Sequence, residues 1–312
     1  MIHQDRVIGI DVGKRVHEAW VWPEERRLRG RADTLAAFVA EIAALAPRAI
    51  ALEATGGYER PLADALHAAG LTVYILPPAR VRAFARAGGQ LAKTDKLDAA
   101  LIARAYLACG AKLHPHQPSP GRDGLSQLLA QRRRLREEQS GLSSQLDTLV
   151  EPLVRRMVRQ RLATIDRQII LIDREIARRI ADDPAFTRSY RTLTAVKGVG
   201  PVLASSLIAD MPELGHITGK AAAALLGVAP HARQSGASRR AGRCGGGRKH
   251  LRDILYMATL SAIKTGSGNL AEFYTRLRAA GKPAKLAITA AMRKLITTLN
   301  AIARNAETST VA

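Results

Sequence analysis

The sequence contains few aromatic residues, few cysteines and few carboxylates. Phe, Trp and Tyr make up only 4% of its 312 residues, and the two cysteines, Cys109 and Cys244, lack the CxxC spacing of a zinc site. Two distant cysteines also do not make the disulfide framework typical of small secreted proteins. No run of eighteen apolar residues is present, and the residues before the first apolar segment do not resemble a signal peptide. We therefore predict a cytoplasmic, nucleoid-associated protein without a membrane span, in which any metal has oxygen or histidine ligands.

The shortage of carboxylates leaves a large positive charge. The chain has 48 Lys and Arg against 27 Asp and Glu, which gives a net charge of +21. A protein this basic is expected to bind a polyanion, most commonly nucleic acid. Its hydrophobic content of 47% is too high for a disordered basic tail. The length exceeds what one hydrophobic core usually covers, so we expect a folded protein of at least two domains.

Strand and helix signals alternate in the first half of the chain. Short β-branched or apolar runs predict strands at 7–12, 18–22, 49–53 and 71–76, the first two joined as a hairpin. Helical spacing predicts a helix from Leu35, capped by Asp33, and the stretch 59–69 reads as a second helix that ends before Gly70. Strands joined by helical crossovers predict an α/β sheet with a mainly parallel section.

A proline-rich segment at 114–122 separates this region from a helical one. Leucines recur every seven residues from Leu128 to Leu149, and isoleucines alternate spacings of four and three from Ile165 to Ile176. This pattern predicts two long helices at 123–188, broken near Pro152. Heptads do not reveal how many chains take part, so a helical hairpin inside one subunit and a coiled coil between protomers remain equally open.

The remaining 189–312 are predicted to be all-α and to carry the nucleic-acid contacts. Lys197, Gly198 and Gly200 lie in a segment that resembles the hairpin of a helix-hairpin-helix element, where backbone N–H groups approach a phosphate. The same glycines can also simply mark the end of one helix and the start of the next. The stretch 231–252 has no carboxylate, so its cations are predicted to bind phosphates; they are Arg233, Arg239, Arg240, Arg243, Arg248, Lys249 and Arg252.

Four carboxylates stand where they could share one site. Asp11 and Glu53 end two predicted strands, and Asp95 and Asp98 open a helix three residues apart, on one helical face. Carboxylates this close would repel one another unless a divalent cation bridged them, and oxygen ligands favour Mg²⁺ or Mn²⁺ over zinc. The pattern predicts a two-metal site for phosphoryl transfer.

Each of these acids also has an ordinary structural interpretation. Asp95 could cap a helix, Asp11 could be a turn residue, and Glu53 could be a surface acid. Taken together, acids at two strand ends and on one helix face in a basic chain favour the metal site. Lys14, Lys93 and Lys96 are placed to contact a phosphate backbone, or to form ion pairs. Glu59 and Asp64 are lower-ranked alternative acids.

Three acidic motifs and an ordered set of later ones resemble a known family. The motifs Gly9–Lys14, Leu52–Gly56 and Lys93–Ala99 look like those of the DEDD transposases of bacterial insertion sequences, family 110, subgroup 1111. The likeness continues through 198–201, 226–230, 234–236 and 255–260 in the family's order. It implies a RuvC-like, RNase H-like domain at 1–113, a coiled-coil connector at 123–188 and a C-terminal transposase domain at 189–312.

The resemblance also implies chemistry and partners. It assigns the metal ligands to Asp11, Glu53, Asp95 and Asp98 and a nucleophilic serine to Ser235, with Ser238 as the competing position. The implied protein is an RNA-guided recombinase that cleaves and exchanges DNA strands, with a noncoding bridge RNA as partner and a homo-oligomer, dimer or tetramer, as its working form. Two alternatives remain: a RuvC-like nuclease that uses water, and a basic nucleic-acid-binding protein with no catalytic activity.

Overall fold

A computed structural model of the chain describes residues 5–89, 95–110, 113–235, 238–266 and 268–311, and the side chains of these residues except 95–97, 231–242 and 307–311. The chain divides into two compact units, Met1–Ser119 and Pro120–Ala312. The first combines strands with helices, whereas the second is built mainly from helices. Each unit has its own buried apolar residues.

The first unit contains one five-stranded sheet and four α-helices. The sheet has the order β3-β2-β1-β4-β5, with β1 antiparallel to β2 and parallel to β4. The elements in chain order are β1 (Val7–Val12), β2 (Val16–Trp22), β3 (Arg26–Arg31), α1 (Leu35–Ala44), β4 (Ala49–Glu53), α2 (Glu59–Ala68), β5 (Val73–Leu76), α3 (Pro78–Ala87) and α4 (Asp95–Cys109).

Helices cover both faces of this sheet because its inner strands are apolar on both sides. Ile8 and Ile10 point to the face covered by α1 and α2, where they join Phe38, Ile42 and Leu62 in a core. The alternate residues of the strands point to the other face, where they pack against α4. The predicted α/β unit with a mainly parallel section is confirmed.

The outer strand β3 is an element that the sequence did not predict. Its residues, Arg26–Arg31, are mostly arginine, and only Leu28 and Gly30 are buried. The strand forms because it pairs antiparallel along β2 over six residues. The predicted cap Asp33 does not cap α1 either: it lies in a short 3-10 helix and forms an ion pair with Arg31 instead.

The predicted linker at 114–122 is only partly a connection between elements. The backbone N–H of His116 donates to the carbonyl of Val73 on the outer strand β5, and its ring contacts Asp64 at 2.7 Å. Residues 120–122 already belong to the first helix of the second unit. The segment before Ser119 therefore belongs to the first unit, and the second unit begins directly with a helix.

The second unit begins with two long helices, α5 (Pro120–Thr148) and α6 (Pro152–Asp182), broken as predicted at Pro152. They pack against each other within the chain through Leu135, Ile165 and Ile169. This is the arrangement that the helical-hairpin alternative describes. Arg155 of α6 donates to carbonyls at the end of α5, at Leu146 and Leu149, and so holds the turn between them.

The rest of the second unit is helical with one exception. The exception is a two-stranded antiparallel hairpin, β6 (Pro230–Ser235) and β7 (Ser238–Cys244), which corrects the prediction that this part is all-α. The helices are α7 (Pro184–Thr194), α8 (Pro201–Asp210), α9 (Gly219–Leu225), α10 (Lys249–Lys264), α11 (Asn269–Ala279) and α12 (Ala284–Val311).

Helix α12 contains a long apolar stretch. Within the described residues, Ala284–Ala306 is the one helical segment long and apolar enough to cross a membrane, judged by length and composition alone. Its residues Leu295, Ile296 and Leu299 are buried in the core of the second unit, together with Leu203 and Leu255. Packing inside the unit therefore accounts for the apolar character of these buried positions.

Candidate active site and nucleic-acid interface

Asp11 and Glu53 lie on neighbouring parallel strands at the same end of the sheet. In the β1–β4 register Ile10 pairs with Leu52, so the next residues of the two strands, Asp11 and Glu53, are level with each other. Both are partly buried. Parallel strands bring their carboxyl ends to one edge, as the sequence predicted for these two acids.

Both carboxylates also face the side of the sheet that α4 covers. Gly9, two residues before Asp11, lies directly against α4: a Cβ built on it would come within 2.2 Å of the Ala99 carbonyl oxygen. Ala51, two residues before Glu53, packs with Ile102 of the same helix. Side chains two residues apart on a strand share a face, so Asp11 and Glu53 both point toward α4.

Helix α4 runs so that its first turn lies at the edge that carries these acids. Near its other end, Arg104 contacts Glu25 at 3.9 Å, in the turn that follows β2 and lies beside the start of β1. The helix begins at Asp95, and Asp98 is partly buried and directly precedes Ala99. The fold therefore brings Asp98 to the edge that carries Asp11 and Glu53; the side chain of Asp95 lies outside the described residues.

A fifth acid, Glu18, shares this edge and was missed from the sequence. It is the direct cross-strand partner of Asp11 in the β1–β2 hairpin, and so points to the same face. Arg29 of β3 contacts its carboxylate at 3.1 Å. Its position depends on the register of the hairpin, because the tight turn after Gly13 fixes which residue of the second strand faces Asp11.

The two lower-ranked acids have structural partners. The buried carboxylate of Glu59 accepts hydrogen bonds from the backbone N–H groups of Thr55 and Gly57 and from the Thr55 hydroxyl. Burial raises the pKa of Glu59, but these hydrogen bonds outweigh it and hold the pKa below the ordinary 4.5. Glu59 thus fixes the turn that follows Glu53, while Asp64 is paired with His116.

The donor set suits a hard divalent cation, although it is not assembled among the described side chains. Carboxylate oxygens at one sheet edge are ligands that Mg²⁺ and Mn²⁺ accept. Within the part of the chain whose side chains are described, no three histidine, cysteine or acidic residues lie close enough together to hold a metal ion. Asp11, Glu53 and Asp98 belong to that part, so they share the edge without forming such a group; the side chain of Asp95, the fourth member of the predicted set, lies outside it.

Ser235 and Ser238 lie at the tip of the β6–β7 hairpin. They pair directly with each other across the turn, with Ser235 last in β6 and Ser238 first in β7. Cys244 is the last residue of β7, at the other end of the hairpin, and its thiol donates to the Val228 carbonyl. The side chains of Ser235, Ser238, Arg233, Arg239 and Arg240 lie outside the described residues, as does Lys93.

The hairpin register places arginines opposite one another. Arg233 pairs with Arg240, and Arg239 pairs with Gln234 one step nearer the tip. Like charges at directly opposite positions of an antiparallel pair destabilise it in the absence of an anion. The predicted basic loop is therefore in large part a positively charged hairpin that leads to the two serines.

Three of the predicted phosphate-binding cations have partners within the chain. Arg248 makes a two-fold contact with Glu213, at 2.7 and 2.8 Å, and Lys249 contacts Asp253 at 2.6 Å. Arg252 donates to the carbonyls of Leu226 and Gly246. The premise that these cations lack counter-charges is wrong for Arg248 and Lys249, because it considered only carboxylates within the segment.

The segment 195–200 connects α7 to α8, with Gly200 as N-cap of α8. Lys197 is exposed, as is Lys14 in the first unit. Gly198 has a positive φ of 90°, and a Cβ there would come within 2.5 Å of the Ala262 methyl group on α10. Packing against α10 thus accounts for Gly198, whereas no atom within 4 Å would meet a Cβ on Gly200.

Two family models match the chain in order. Residues 8–153 match the IS110 model of the DEDD type, described as a transposase, and residues 190–275 match the model of the transposase IS116/IS110/IS902 family. The first match includes Asp11, Glu53, Asp95 and Asp98. The second includes Ser235 and the β6–β7 hairpin.

Individual relatives are consistent with these matches. A pilin gene-inverting protein of Moraxella bovis is 30% identical over 266 residues, which cover 81% of this chain and 79% of the relative. The corresponding protein of Moraxella lacunata is 29% identical over the same shares. The structure of T. thermophilus RuvC in complex with a Holliday junction substrate is 19% identical to this chain. The alignment covers 36% of this chain and 100% of the RuvC chain, with a TM-score of 0.30.

Proposed function

Since the chain belongs to the IS116/IS110/IS902 family of transposases, enzymes that cleave and exchange DNA strands, we propose that it is a metal-dependent DNA recombinase with Ser235 as its nucleophile. The relatives named for pilin gene inversion favour recombination between defined DNA sites. The alternative is a RuvC-like nuclease in which water replaces the serine.

The observation that carries this proposal is the placement of three acids at one sheet edge. Asp11, Glu53 and Asp98 come from three elements to the same edge and the same face of the sheet. A protein that only binds nucleic acid gains nothing from placing negative charges together, because they repel phosphates. A catalytic site for phosphoryl transfer requires such charges in order to bind cations.

Asp11, Glu53, Asp95 and Asp98 would together hold the divalent metal, with Mg²⁺ or Mn²⁺ as the proposed ion. When bound, it would supply positive charge that stabilises the phosphate oxygens during displacement. Gly9 contributes by allowing α4 to approach the sheet closely, which sets the position of Asp98 relative to Asp11. Glu59 contributes by holding the turn that follows Glu53.

Ser235 would attack the DNA phosphorus through its hydroxyl oxygen. A serine–phosphate bond forms as the serine hydroxyl gives up its proton. The bond from phosphorus to one nucleotide oxygen breaks, and that oxygen takes up a proton and leaves as a free hydroxyl. A hydroxyl of the second DNA strand then reverses the step and releases the serine. The arginines of the hairpin, Arg243 included, and Lys197 in the segment before α8 would bind the phosphates around the reacting bond.

The proposed partners are DNA, a noncoding bridge RNA and further copies of this chain. The positive charge of the chain is suited to both nucleic acids. With a guide RNA, base pairing rather than protein contacts selects the DNA sequence. A dimer or tetramer provides the two cleavage centres that an exchange between two DNA segments requires.

The serine assignment is tested by comparing Ser235→Ala with Ser238→Ala. Ser235→Ala should lose cleavage and the covalent protein–DNA adduct, because no other group in this position conserves the phosphodiester energy. Labelled DNA would be followed on a denaturing gel, where protease treatment removes the adduct band. Ser238→Ala is the matched control, since Ser238 directly faces Ser235 in the hairpin, and it should keep both activities. Cleavage by Ser235→Ala would favour the water-using nuclease.

The metal site is tested by Asp11→Asn and Asp98→Asn. Each change removes a ligand charge at constant volume, so strand cleavage should be lost while DNA and RNA binding stay close to wild type. Cleavage should also stop in EDTA and return on addition of Mg²⁺ or Mn²⁺. Asp64→Asn, which alters the acid paired with His116, serves as control and should cleave normally. Full cleavage by either ligand variant would contradict the metal assignment.

A further inference from the structure

Helix α6 carries a row of arginines on the side that faces away from α5. Arg156, Arg159, Arg167 and Arg174 follow one another at spacings of three, eight and seven residues. At about 100° per residue, these positions fall within about 80° of one another around the helix axis. We call these four residues the α6 arginine stripe. With a rise of about 1.5 Å per residue, the stripe is about 27 Å long.

The stripe lies opposite the packing face of the helix. Val158, Ile165, Ile169 and Ile176, which are buried, lie about 180° away from it. All four arginines are exposed. They contribute nothing to the core, so packing does not account for arginine at these positions.

The charges of the stripe are not neutralised within the described part of the chain. None of the four arginines forms an ion pair there; Arg167 donates only to the Ala163 carbonyl and the Thr164 hydroxyl on its own helix. The acids of α6, Asp166, Asp173, Glu175 and Asp182, all lie to the sides of the stripe. Ile170 is exposed within the stripe and adds no charge.

Other arginines of the same helix show a different arrangement. Arg161 pairs with Glu138 of α5, and Arg178 pairs with Glu175 and Asp182. These pairs fix their positions on the surface of the helical hairpin. The outward face of α5 also differs, since Glu137 and Glu138 follow its arginines. The uncompensated charge is therefore concentrated along one line on α6.

We propose that the α6 arginine stripe binds the phosphodiester backbone of a nucleic-acid duplex. These contacts would add to the phosphate contacts proposed for the β6–β7 hairpin and Lys197. Four like charges held along a straight helix repel one another, and a row of phosphates would neutralise them. A duplex holds its phosphates at fixed spacings over a length comparable to the stripe, whereas a single strand does not. Arginines that contact only phosphates position the duplex without reading its sequence.

The proposal deepens the proposed function, because it assigns the helical hairpin a role in holding DNA or RNA. It rests on the proposed function in one respect: the protein must have a nucleic-acid partner. Binding is therefore measured without cleavage, in EDTA, by fluorescence anisotropy with labelled duplexes and full-length protein. A duplex DNA and a duplex RNA of the same sequence distinguish the two sources of phosphate.

The test variant is Arg159→Gln with Arg167→Gln, and its control is Arg161→Gln with Arg179→Gln. Both remove two charges from the same helix, but Arg161 and Arg179 lie about 120° or more from the arginines of the stripe around the helix axis and pair with Glu138 and Glu175. Loss of two phosphate contacts should lower the salt slope of log K by about 1.8. Raising the salt from about 50 to about 200 mM lowers the affinity of both proteins. The factor by which the affinity falls should be about twelvefold smaller for the test variant than for wild type.

The control variant should keep the wild-type slope, and Arg159→Lys with Arg167→Lys should restore it because the charge returns. A reduced slope with DNA alone, RNA alone or both identifies which duplex uses the stripe. Equal slopes for test, control and wild-type proteins would overturn the proposal. A change seen only with single-stranded oligonucleotides, or only in the oligomeric mass of the protein, would overturn it as well.

Discussion

Glycine 9 shows how one residue determines the geometry of the candidate active site. It lies two residues before Asp11 on β1, against the carbonyl of Ala99, and its missing side chain allows α4 to contact the sheet backbone. The distance between Asp11 and Asp98 depends on this contact, because Asp98 directly precedes Ala99. The sequence displays Gly9 beside a strand-end acid, but its role becomes visible only when the helix against which it packs is known.

Gly9→Ala should therefore impair both stability and catalysis. A methyl group would come within 2.2 Å of the Ala99 oxygen and 2.5 Å of the Ala103 nitrogen, so α4 must move away from the sheet. We expect a loss of about 1–3 kcal/mol in the free energy of unfolding, measured by urea denaturation, together with loss of strand cleavage.

Gly141→Ala serves as the control for this substitution. Gly141 is exposed in α5, and no atom lies within 4 Å of a Cβ built there. The change should stabilise the protein by about 0.5–1 kcal/mol, because alanine has the higher helix propensity, and cleavage should be unaffected. Wild-type cleavage by Gly9→Ala would show that the approach of α4 does not set the site.

At the scale of elements, a partly buried carboxylate joins three helices of the second unit. Asp210 at the end of α8 accepts a hydrogen bond from Ser126 of α5 at 2.6 Å and contacts the His250 ring of α10 at 3.0 Å. Burial raises the pKa of Asp210, but these two contacts outweigh burial and hold it below the ordinary 3.8. Helix α5 is thereby attached to α8 and to α10, the helix that follows the β6–β7 hairpin.

A carboxylate with a depressed pKa stabilises the folded state above its unfolded pKa, and this stability is lost as the pH falls through the folded value. Asp210→Ala should lower the free energy of unfolding by about 1–3 kcal/mol at pH 7. The difference from wild type should shrink as the pH falls below the ordinary value of 3.8. Urea denaturation at several pH values measures both effects.

Asp253→Ala, which breaks an exposed ion pair with Lys249, is the control and should change stability by at most about 1 kcal/mol. A deficit in Asp210→Ala that stays constant from neutral pH to below the folded pKa would contradict this role of the carboxylate charge.

The sequence predicted elements best where the apolar pattern was strong. β1, β4, α2 and the break at Pro152 lie at or close to their predicted positions, because buried strands and prolines leave clear local signals. β3 was missed, since its arginines carry no strand pattern and it exists only through pairing with β2. The β6–β7 hairpin was missed for the same reason: positive charge conceals the alternation of a strand.

The residues of the candidate site also differ in how well the sequence predicted their partners. Asp11 and Glu53 could be predicted to meet because parallel strands share an edge. Glu18 required the exact register of a hairpin, and the partners of Arg248 and Lys249 required tertiary structure, since Glu213 lies 35 positions from Arg248. Local sequence therefore identified residue types and ends of elements, whereas cross-strand and interhelical partners depended on the fold.

At the scale of the whole molecule, the proposed catalytic groups are divided between two units. Asp11, Glu53 and Asp98 belong to the unit Met1–Ser119, and Ser235 belongs to the unit Pro120–Ala312. We predict that acids of one protomer act with the serine of another in the oligomer. An equal mixture of Asp98→Asn and Ser235→Ala proteins should then regain activity, because about a quarter of such shared sites contain both intact groups.

This complementation is measured as adduct formation and strand exchange on labelled DNA. Each variant alone provides the baseline, and a mixture of Ser235→Ala with Asp11→Asn should behave like the first mixture. An equal mixture of Asp11→Asn and Asp98→Asn is the negative control, since both changes lie in the same unit. Failure of both test mixtures to regain activity would instead place the acids and the serine of one chain in a single site.

The backbone contact between His116 and Val73 determines where the first unit can be separated from the second. β5 is an outer strand of the sheet. The N–H of His116 donates a hydrogen bond to the Val73 carbonyl on the side of β5 that does not pair with β4. A fragment that stops at residue 113 would leave this strand edge open to pairing with another molecule, the usual route to self-association of sheets. The opposite edge, β3, is protected by its exposed arginines. An isolated catalytic fragment should therefore extend to Ser119 in order to remain monomeric.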